Sequence, residues 1–222
     1  MTERKRGLVF DLDGTLVDSY GAIAESLNAA RAAHGLAALA EREVRGLVGH
    51  GLEALLESQV GKERLEQAVH CFRERYARVG IARTTALPGV ARGLPALAAR
   101  GYRMAVATNK PARFAEPILE ALGLARWFRC IAGPDRVGAT KPDPAMLRYC
   151  LRELDLAPPH ALYVGDMVLD VETADRAGVA VLLVCGGSSS EDELRATGRP
   201  VLRDFDALVG RLTADPGART PS

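Results

Sequence analysis

The sequence predicts an α/β fold, a Rossmann-like core built on a parallel sheet, with a helical segment inserted near its start. Short apolar runs of strand length alternate with helical patterns over most of the chain, which is typical of a parallel sheet covered by helices. Four helical patterns follow one another without a strand between residues 17 and 84. This break in the alternation indicates a separate helical module.

Composition sets the broad class of the protein. The 222 residues are 48% hydrophobic and 26% charged, which is enough for a folded core and an inserted module. The 29 Lys and Arg balance 28 Asp and Glu, so no net field attracts nucleic acid or anionic lipid. The apolar runs are too short to cross a bilayer, and no signal peptide follows the charged start. Four scattered cysteines without a CxxC spacing fit a reduced, cytoplasmic protein.

The first strand covers residues 8–10 and ends at Asp11. Helices are predicted in the inserted segment at residues 18–33, 41–48, 52–60 and 62–79. The last of these is the clearest, because its apolar residues recur on one face. The Leu-Pro-Gly run at residues 87–89 is the predicted hinge by which the chain returns to the core.

Beyond the hinge the alternation of strands and helices resumes. Predicted strands cover residues 104–107, 128–132, 161–164 and 179–184, and predicted helices cover 90–99, 112–122, 144–154, 169–177 and 205–212. Pro95 falls inside a helix and should kink it or delay its start. The predicted domains are the core at residues 1–16 and 85–213, the helical insertion at 17–84, and a disordered tail at 214–222.

Two acidic residues follow the first strand, Asp11 and Asp13, and Gly14 then turns the backbone. Like charges held this close need a cation, a shared proton or a reacting group between them. An ordinary Asp-Gly turn would explain the same residues. Half of an EF-hand loop would also do so, but such a loop needs a Glu at the position of Ala22. The pair by itself therefore does not decide between these interpretations.

Polar residues also follow two later strands. Thr108 ends one of them, Asp166 and Asp170 follow another, and Lys141 precedes a helix. Ligands of open parallel sheets bind at the carboxyl ends of the strands, so these side chains are expected to meet there. Each residue has a simpler explanation, such as a helix cap, a solvated loop or a helix N-terminal charge. One shared site explains all of them together.

In this order, the set resembles the four motifs of the haloacid dehalogenase-like hydrolases: Asp11, Asp13, Thr108, Lys141, Asp166 and Asp170. The resemblance extends from residue 8 to about residue 184. Within that superfamily the motifs are most similar to those of phosphoglycolate phosphatases. The helical insertion occupies the position of a cap in that family. Met167 is a departure, since the family often has a small polar residue there.

The resemblance implies phosphoryl transfer through an aspartyl phosphate. Asp11 is the predicted nucleophile, because a carboxylate can form such an intermediate and water can then hydrolyse it. Asp13 would give a proton to the leaving alkoxide and later take one from the attacking water. The Thr108 hydroxyl and the Lys141 ammonium would contact the phosphoryl oxygens.

A Mg²⁺ site is predicted beside the nucleophile. Asp166 adds a third carboxylate to Asp11 and to the carbonyl of Asp13, which gives the oxygen ligands that this hard cation prefers. By similarity to the family motif, Asp170 would steady either Lys141 or the waters of the metal.

Substrate binding is assigned to Asn109, next to Thr108, and to a glycine pair in the helical insertion. Gly49, His50 and Gly51 separate two predicted helices and match a relaxed GxGxxA dinucleotide fingerprint. The match is weak because it follows a helix and not a strand. The run is either a helix–helix turn or a cap loop in which His50 and the Gly51 backbone meet the far end of the substrate.

The sequence thus predicts a Mg²⁺-dependent phosphatase for a small phosphorylated metabolite, and the resemblance implies 2-phosphoglycolate. A sugar phosphate, pyrophosphate or a phosphosugar mutase reaction stays open, since neither composition nor spacing separates these. A receiver-type phospho-acceptor module also uses a strand-end Asp, Mg²⁺, a Thr and a Lys, but the helical insertion and Asp13 argue against it. We expect no nucleic-acid or membrane partner, a monomer or a homodimer, and a cytoplasmic location.

Overall fold

The computed structural model describes residues 7–214, and a parallel sheet forms its core. The strands are β1 (Gly7–Phe10), β2 (Val17–Asp18), β3 (Thr85–Ala86), β4 (Arg103–Ala107), β5 (Ile131–Ala132), β6 (Ala161–Gly165), β7 (Ala180–Val184) and β8 (Val201–Leu202). Six of them form one sheet in the order β5-β4-β1-β6-β7-β8, and every neighbouring pair is parallel. The predicted α/β class is confirmed.

Helices cover the sheet and make up the insertion. They are α1 (Tyr20–Ala32), α2 (Glu41–Arg45), α3 (Leu52–Val60), α4 (Leu65–Val79), α5 (Val90–Ala99), α6 (Ala112–Ala121), α7 (Pro134–Val137), α8 (Ala145–Glu153), α9 (Val168–Ala177), α10 (Glu191–Ala196) and α11 (Phe205–Thr213). None of these helices in residues 7–214 has the length and apolar character needed to cross a membrane.

Strand β1 is apolar throughout and does not alternate with polar residues as a half-buried strand does. All four of its residues are buried. Leu8 and Phe10 join the hydrophobic cluster on one side of the sheet, and Val9 joins the cluster on the other side. On the first side the Phe10 ring lies 6.2 Å from that of Phe128 and 5.9 Å from that of Phe205, between ring centroids. A central parallel strand is covered on both faces, so every position is apolar.

The helical insertion joins the core through a two-stranded stem. Val17 pairs with Ala86 and Asp18 with Thr85 in the antiparallel pair of β2 and β3. Helices α1 to α4 lie between these strands in the chain, and α4 buries Phe72 and also Tyr76, whose ring packs on Phe114 of the core. A strand of two residues is too short to show an alternating sequence pattern, so the stem was not predicted. The exact domain limits remain a proposal.

Several predicted elements differ from the structure. The second helix ends at Arg45 rather than at residue 48, because the chain turns at Gly46 and the Leu47 N–H donates to the Val44 carbonyl at 2.9 Å. The strand predicted at 128–132 contains only Ile131–Ala132, since a 3-10 turn precedes it. Helix α5 begins at Val90, so Pro95 does not delay it. The predicted tail, apart from Ala214, falls outside the described residues.

Candidate active site

The predicted polar residues meet at the carboxyl edge of the sheet. The Asp11 N–H donates to the Val164 carbonyl at 2.8 Å, and the Thr108 N–H donates to the Ala132 carbonyl at 3.0 Å. Both residues therefore continue the hydrogen-bond ladder one step past their strands. Asp166 follows β6 directly, and all three side chains are at least nine-tenths buried. The strand ends thus fix these groups in one small volume.

Lys141 lies at the centre of a buried network. Its ammonium is 2.9 Å from an Asp11 carboxylate oxygen and 2.8 Å from an Asp170 oxygen, and it donates to the Tyr163 hydroxyl at 3.3 Å. Burial alone would lower the pKa of Lys141, but the two adjacent carboxylates outweigh it and raise this pKa above its ordinary value. The lysine therefore stays charged beside the predicted nucleophile.

Asp170 holds this lysine in place and also closes the first turn of α9. One of its oxygens accepts from Lys141, and the other accepts from the backbone N–H groups of Asp166 and Met167 at 3.1 and 3.0 Å. A carboxylate at a helix N-terminus is favoured by the helix dipole. Of the two roles predicted for Asp170, the contact with Lys141 is present in the structure, and a role beside the metal stays a prediction.

The carboxylates beside the nucleophile form a group that suits a hard cation. Oxygens of Asp11, Asp166 and Asp170 lie within 4.8 Å of one another, and all three residues are buried. Among the described residues, Oδ1 of Asp11 is buried and accepts no hydrogen bond. Burial raises the pKa of Asp11 to about 6 and that of Asp166 well above its ordinary value. A divalent cation would supply the partner that this Asp11 oxygen lacks and would offset the repulsion among the three carboxylates, so the donor set fits Mg²⁺.

Asp13 faces a different cation. Lys110 donates to both of its carboxylate oxygens at 2.6 and 2.5 Å, and the Ser19 hydroxyl donates to one of them. The Lys110 ammonium also lies 5.2 Å from the ring centroid of Tyr76 on α4. The sequence alone assigned no role to Lys110, because a lysine between Asn109 and Pro111 is equally typical of a solvated loop.

Asn109 connects the helical insertion to the core. Its amide nitrogen donates to the Gly49 carbonyl at 2.7 Å, and its oxygen accepts from the Lys141 backbone N–H at 2.7 Å. A Cβ atom built at Gly49 would lie 2.2 Å from Met167 Cε, so this glycine permits close packing of the loop on Met167. The departure from the family pattern at Met167 thus has a packing role.

A cavity of about 80 Å³ separates the core edge from the insertion. On the core side it is lined by Asp11, Asp13, Thr108, Asn109, Lys110 and Lys141. On the side of the insertion it is lined by Ile23, Val48, Gly49, Gly51, Leu52, Leu55, Phe72 and Tyr76. The structure thus gathers most of the predicted site residues around one cavity. His50 is exposed and does not line it, although Gly51 does.

Comparison with known proteins agrees with this geometry. A sequence model of haloacid dehalogenase-like hydrolases matches residues 8–184. The chain belongs to the haloacid dehalogenase-like hydrolases. This confirms the family that the motifs indicated.

The relatives of this hydrolase include phosphatases of two names. The phosphoglycolate phosphatase of Rhodospirillum rubrum is 38% identical, over 91% of this chain and 89% of its own. The N-acetylmuramic acid 6-phosphate phosphatase of Pseudomonas aeruginosa is 34% identical over 82% of each chain. The crystal structure of a predicted phosphoglycolate phosphatase from Haemophilus somnus has a TM-score of 0.85 and 30% identity, and the match covers 94% of this chain and 98% of the other.

Proposed function

We propose that this hydrolase is a Mg²⁺-dependent phosphatase that converts 2-phosphoglycolate to glycolate and phosphate. The observation that carries the proposal is the buried Asp11 carboxylate at the cavity, with one oxygen on Lys141 and the other without a hydrogen-bond partner among the described residues. An oxygen in that condition is available to a reacting centre or a cation. The names of several relatives support the substrate.

Two chemical steps follow from this arrangement. An Asp11 oxygen attacks the phosphorus and the bond to the leaving oxygen breaks, while Asp13 gives that oxygen its proton, so glycolate departs. Water then attacks the phosphorus of the aspartyl phosphate and passes a proton to Asp13. Phosphate leaves, and both carboxyl groups return to their starting states.

The surrounding residues neutralise charge in both steps. Lys141 and the Thr108 hydroxyl would bind phosphoryl oxygens, and Asp170 keeps the lysine in position. Asp11, Asp166 and the Asp13 carbonyl would hold Mg²⁺. When bound, the ion offsets the repulsion between these carboxylates and a phosphate dianion. This preorganised charge is the main contribution that the protein makes to phosphoryl transfer.

Several relatives are named phosphoglycolate phosphatases, which favours the small acid, and the Pseudomonas relative keeps a sugar phosphate as the alternative substrate. Pyrophosphate hydrolysis and a mutase reaction gain no support from the names of these relatives. A receiver-type module is disfavoured by Asp13 at the covered cavity. We expect the protein to be cytoplasmic and to be a monomer or a homodimer.

A phosphate-release assay tests the proposal. The purified chain with Mg²⁺ is given 2-phosphoglycolate, a sugar 6-phosphate, pyrophosphate and an aryl phosphate. We expect continuous turnover with the highest kcat/KM for 2-phosphoglycolate. Asp11→Asn should reduce turnover to background because an amide is a poor nucleophile, while the matched surface variant Asp192→Asn should not. A higher kcat/KM for the sugar phosphate would show that the sugar phosphate, and not 2-phosphoglycolate, is the preferred substrate. Turnover by Asp11→Asn would contradict the covalent mechanism.

A further inference from the structure

Lys110 loses its carboxylate partner during the step in which Asp13 must act, and the neutral Ser19 hydroxyl at 3.4 Å does not replace that charge. In the structure its ammonium occupies both oxygens of the Asp13 carboxylate, at 2.6 and 2.5 Å. Asp13 must instead meet the leaving oxygen of the substrate during the reaction. Lys110 is buried, and a buried charge without a partner is costly. Another anion is therefore needed at this position when a substrate is bound.

Tyr76 lines the same cavity from the side of the insertion. Its hydroxyl is buried and makes no hydrogen bond within residues 7–214. Buried hydroxyls usually have a partner, so this group has unused capacity beside Lys110. Burial raises the pKa of Tyr76, which keeps its proton in place for donation at neutral pH. The hydroxyl and the ammonium thus offer two donors to one ligand.

The charges around the cavity leave one place for a second anionic group. Among the described residues that line it, only Lys110 and Lys141 carry a positive charge. Lys141 is held by Asp11 and Asp170 and serves the phosphoryl end in the proposed reaction. The opposite wall contains apolar side chains and glycines. A carboxylate on the leaving group has Lys110 as its only available cation there.

We propose that Lys110 and Tyr76 form a carboxylate subsite, which binds the acid group of a short phosphorylated 2-hydroxy acid. Entry of the substrate moves Lys110 from Asp13 to the substrate carboxylate, and Asp13, protonated as the proposed reaction requires, is then free to face the leaving oxygen. A phosphate ester without the acid group leaves Lys110 on Asp13. The subsite therefore couples recognition of the leaving group to release of the acid–base residue. This inference rests on the proposed phosphatase function and specifies how it selects its substrate.

The test compares two substrates that differ in the acid group, 2-phosphoglycolate and 2-hydroxyethyl phosphate. The preference is the ratio of their kcat/KM values. We expect Lys110→Met to lower the preference roughly 100-fold, which corresponds to loss of a hydrogen-bonded charge pair, and Tyr76→Phe to lower it roughly 10-fold. Lys110→Arg should recover part of it because the charge is kept. The controls Lys62→Met and Tyr149→Phe, neither of which lines the cavity, should keep the wild-type preference.

The outcomes separate this subsite from the phosphatase function. A wild-type chain without preference for 2-phosphoglycolate over 2-hydroxyethyl phosphate, or variants that lower both values by the same factor, would overturn the subsite and leave the phosphatase intact. Absence of phosphate release from every ester would overturn the proposed function itself. If thermal unfolding shows that Lys110→Met does not fold, Tyr76→Phe and Lys110→Arg decide the question by the same ratio.

Discussion

Lys141 and Lys110 are both buried lysines at the carboxyl edge of the sheet, but they are held in different ways. Lys141 contacts two carboxylates, Asp11 and Asp170, and all three belong to the core. Lys110 contacts one carboxylate, Asp13, at 2.5 Å, and lies beside the Ser19 hydroxyl and a tyrosine of the insertion. One lysine is fixed inside the core, and the other lies where the core meets the helices above it.

This difference separates two tasks of a phosphatase. The phosphoryl group is the same in every phosphate ester, so a lysine fixed by two carboxylates suits it. The leaving group differs between esters, and a lysine with one exchangeable partner suits a group that must be recognised. We infer that binding of the common part and selection of the variable part are assigned to different lysines.

The largest expected effect comes from removing the fixed lysine. Lys141→Met should lower kcat at least about 1000-fold for 2-phosphoglycolate and 2-hydroxyethyl phosphate alike, because both esters lose the same electrostatic contact. It leaves Asp11 and Asp170 buried without their cation, so the free energy of unfolding should fall by about 3–5 kcal/mol. Steady-state kinetics and urea unfolding at neutral pH measure the two effects.

Lys110→Met is the matched variant for this prediction. Its loss of unfolding free energy should be smaller, since Asp13 keeps the Ser19 hydroxyl and 12% of its side chain is exposed. Its loss of activity should depend on the substrate. Equal losses for both esters in both variants would show that the two lysines do not divide the work.

The residues of the fixed centre were largely predictable from the sequence. Asp11, Thr108 and Asp166 each follow an apolar run, and the carboxyl ends of parallel strands meet at one edge. A local pattern and a general rule of topology were therefore sufficient. Lys110 could not be found in this way, because its partner Tyr76 lies on an inserted helix 34 residues earlier. Only packing of the insertion on the core brings them together.

A second prediction concerns the support of Lys141. Asp170→Asn keeps the size of the side chain but places an amide NH₂ against either the ammonium or the N–H donors of α9. We expect kcat to fall roughly 10–100-fold with little change in KM, since the loss acts through a charge-assisted contact. Asp175→Asn on the exposed side of the same helix is the control. In a Lys141→Met background the Asp170 change should add almost nothing, and additive losses would contradict support through Lys141.

The sequence could not show how the glycine loop of the insertion, residues 49–51, packs on the core. Its glycines were recognised, but whether Gly49, His50 or Gly51 reaches the cavity depends on how the loop packs. Asn109 and Met167 hold Gly49 against the core, and His50 is exposed and does not line the cavity. Glycine spacing alone cannot specify such a contact.

A third prediction uses two glycines with almost the same backbone. Gly51 and Gly61 both precede a helical turn with φ of 93° and 81°, so valine should strain each by a similar amount. Only Gly51 lines the cavity. Gly51→Val should therefore lower kcat/KM for 2-phosphoglycolate roughly 10-fold more than Gly61→Val does, with similar losses of stability. Equal activities would make Gly51 a helix–helix turn without a role in binding.

The smallest expected effect is a pH dependence of the stabilisation of the folded chain by Mg²⁺. It concerns Asp11, which is a partner of the fixed lysine, Lys141. Burial raises the pKa of Asp11 to about 6 from an ordinary 3.8. Between these values the folded chain without metal holds a proton that the unfolded chain has lost, so its stability falls as the pH rises through this window. Mg²⁺ binds the ionised carboxylates, and its stabilisation should therefore be present above about pH 6 and be lost as the pH falls through that value.

Thermal unfolding with and without Mg²⁺ at pH 5 and pH 7.5 measures this effect. The gain in Tm should be larger at pH 7.5 by a few degrees, since about 1 kcal/mol moves the Tm of a chain of this size by roughly 2–4 °C. Asp11→Asn removes the titrating group and should flatten the difference more than Lys110→Met does, because Lys110 contacts Asp13 and not Asp11. An equal gain in Tm at both pH values would show that the cation does not bind at Asp11. The metal would then lie away from the Lys141 side of the site.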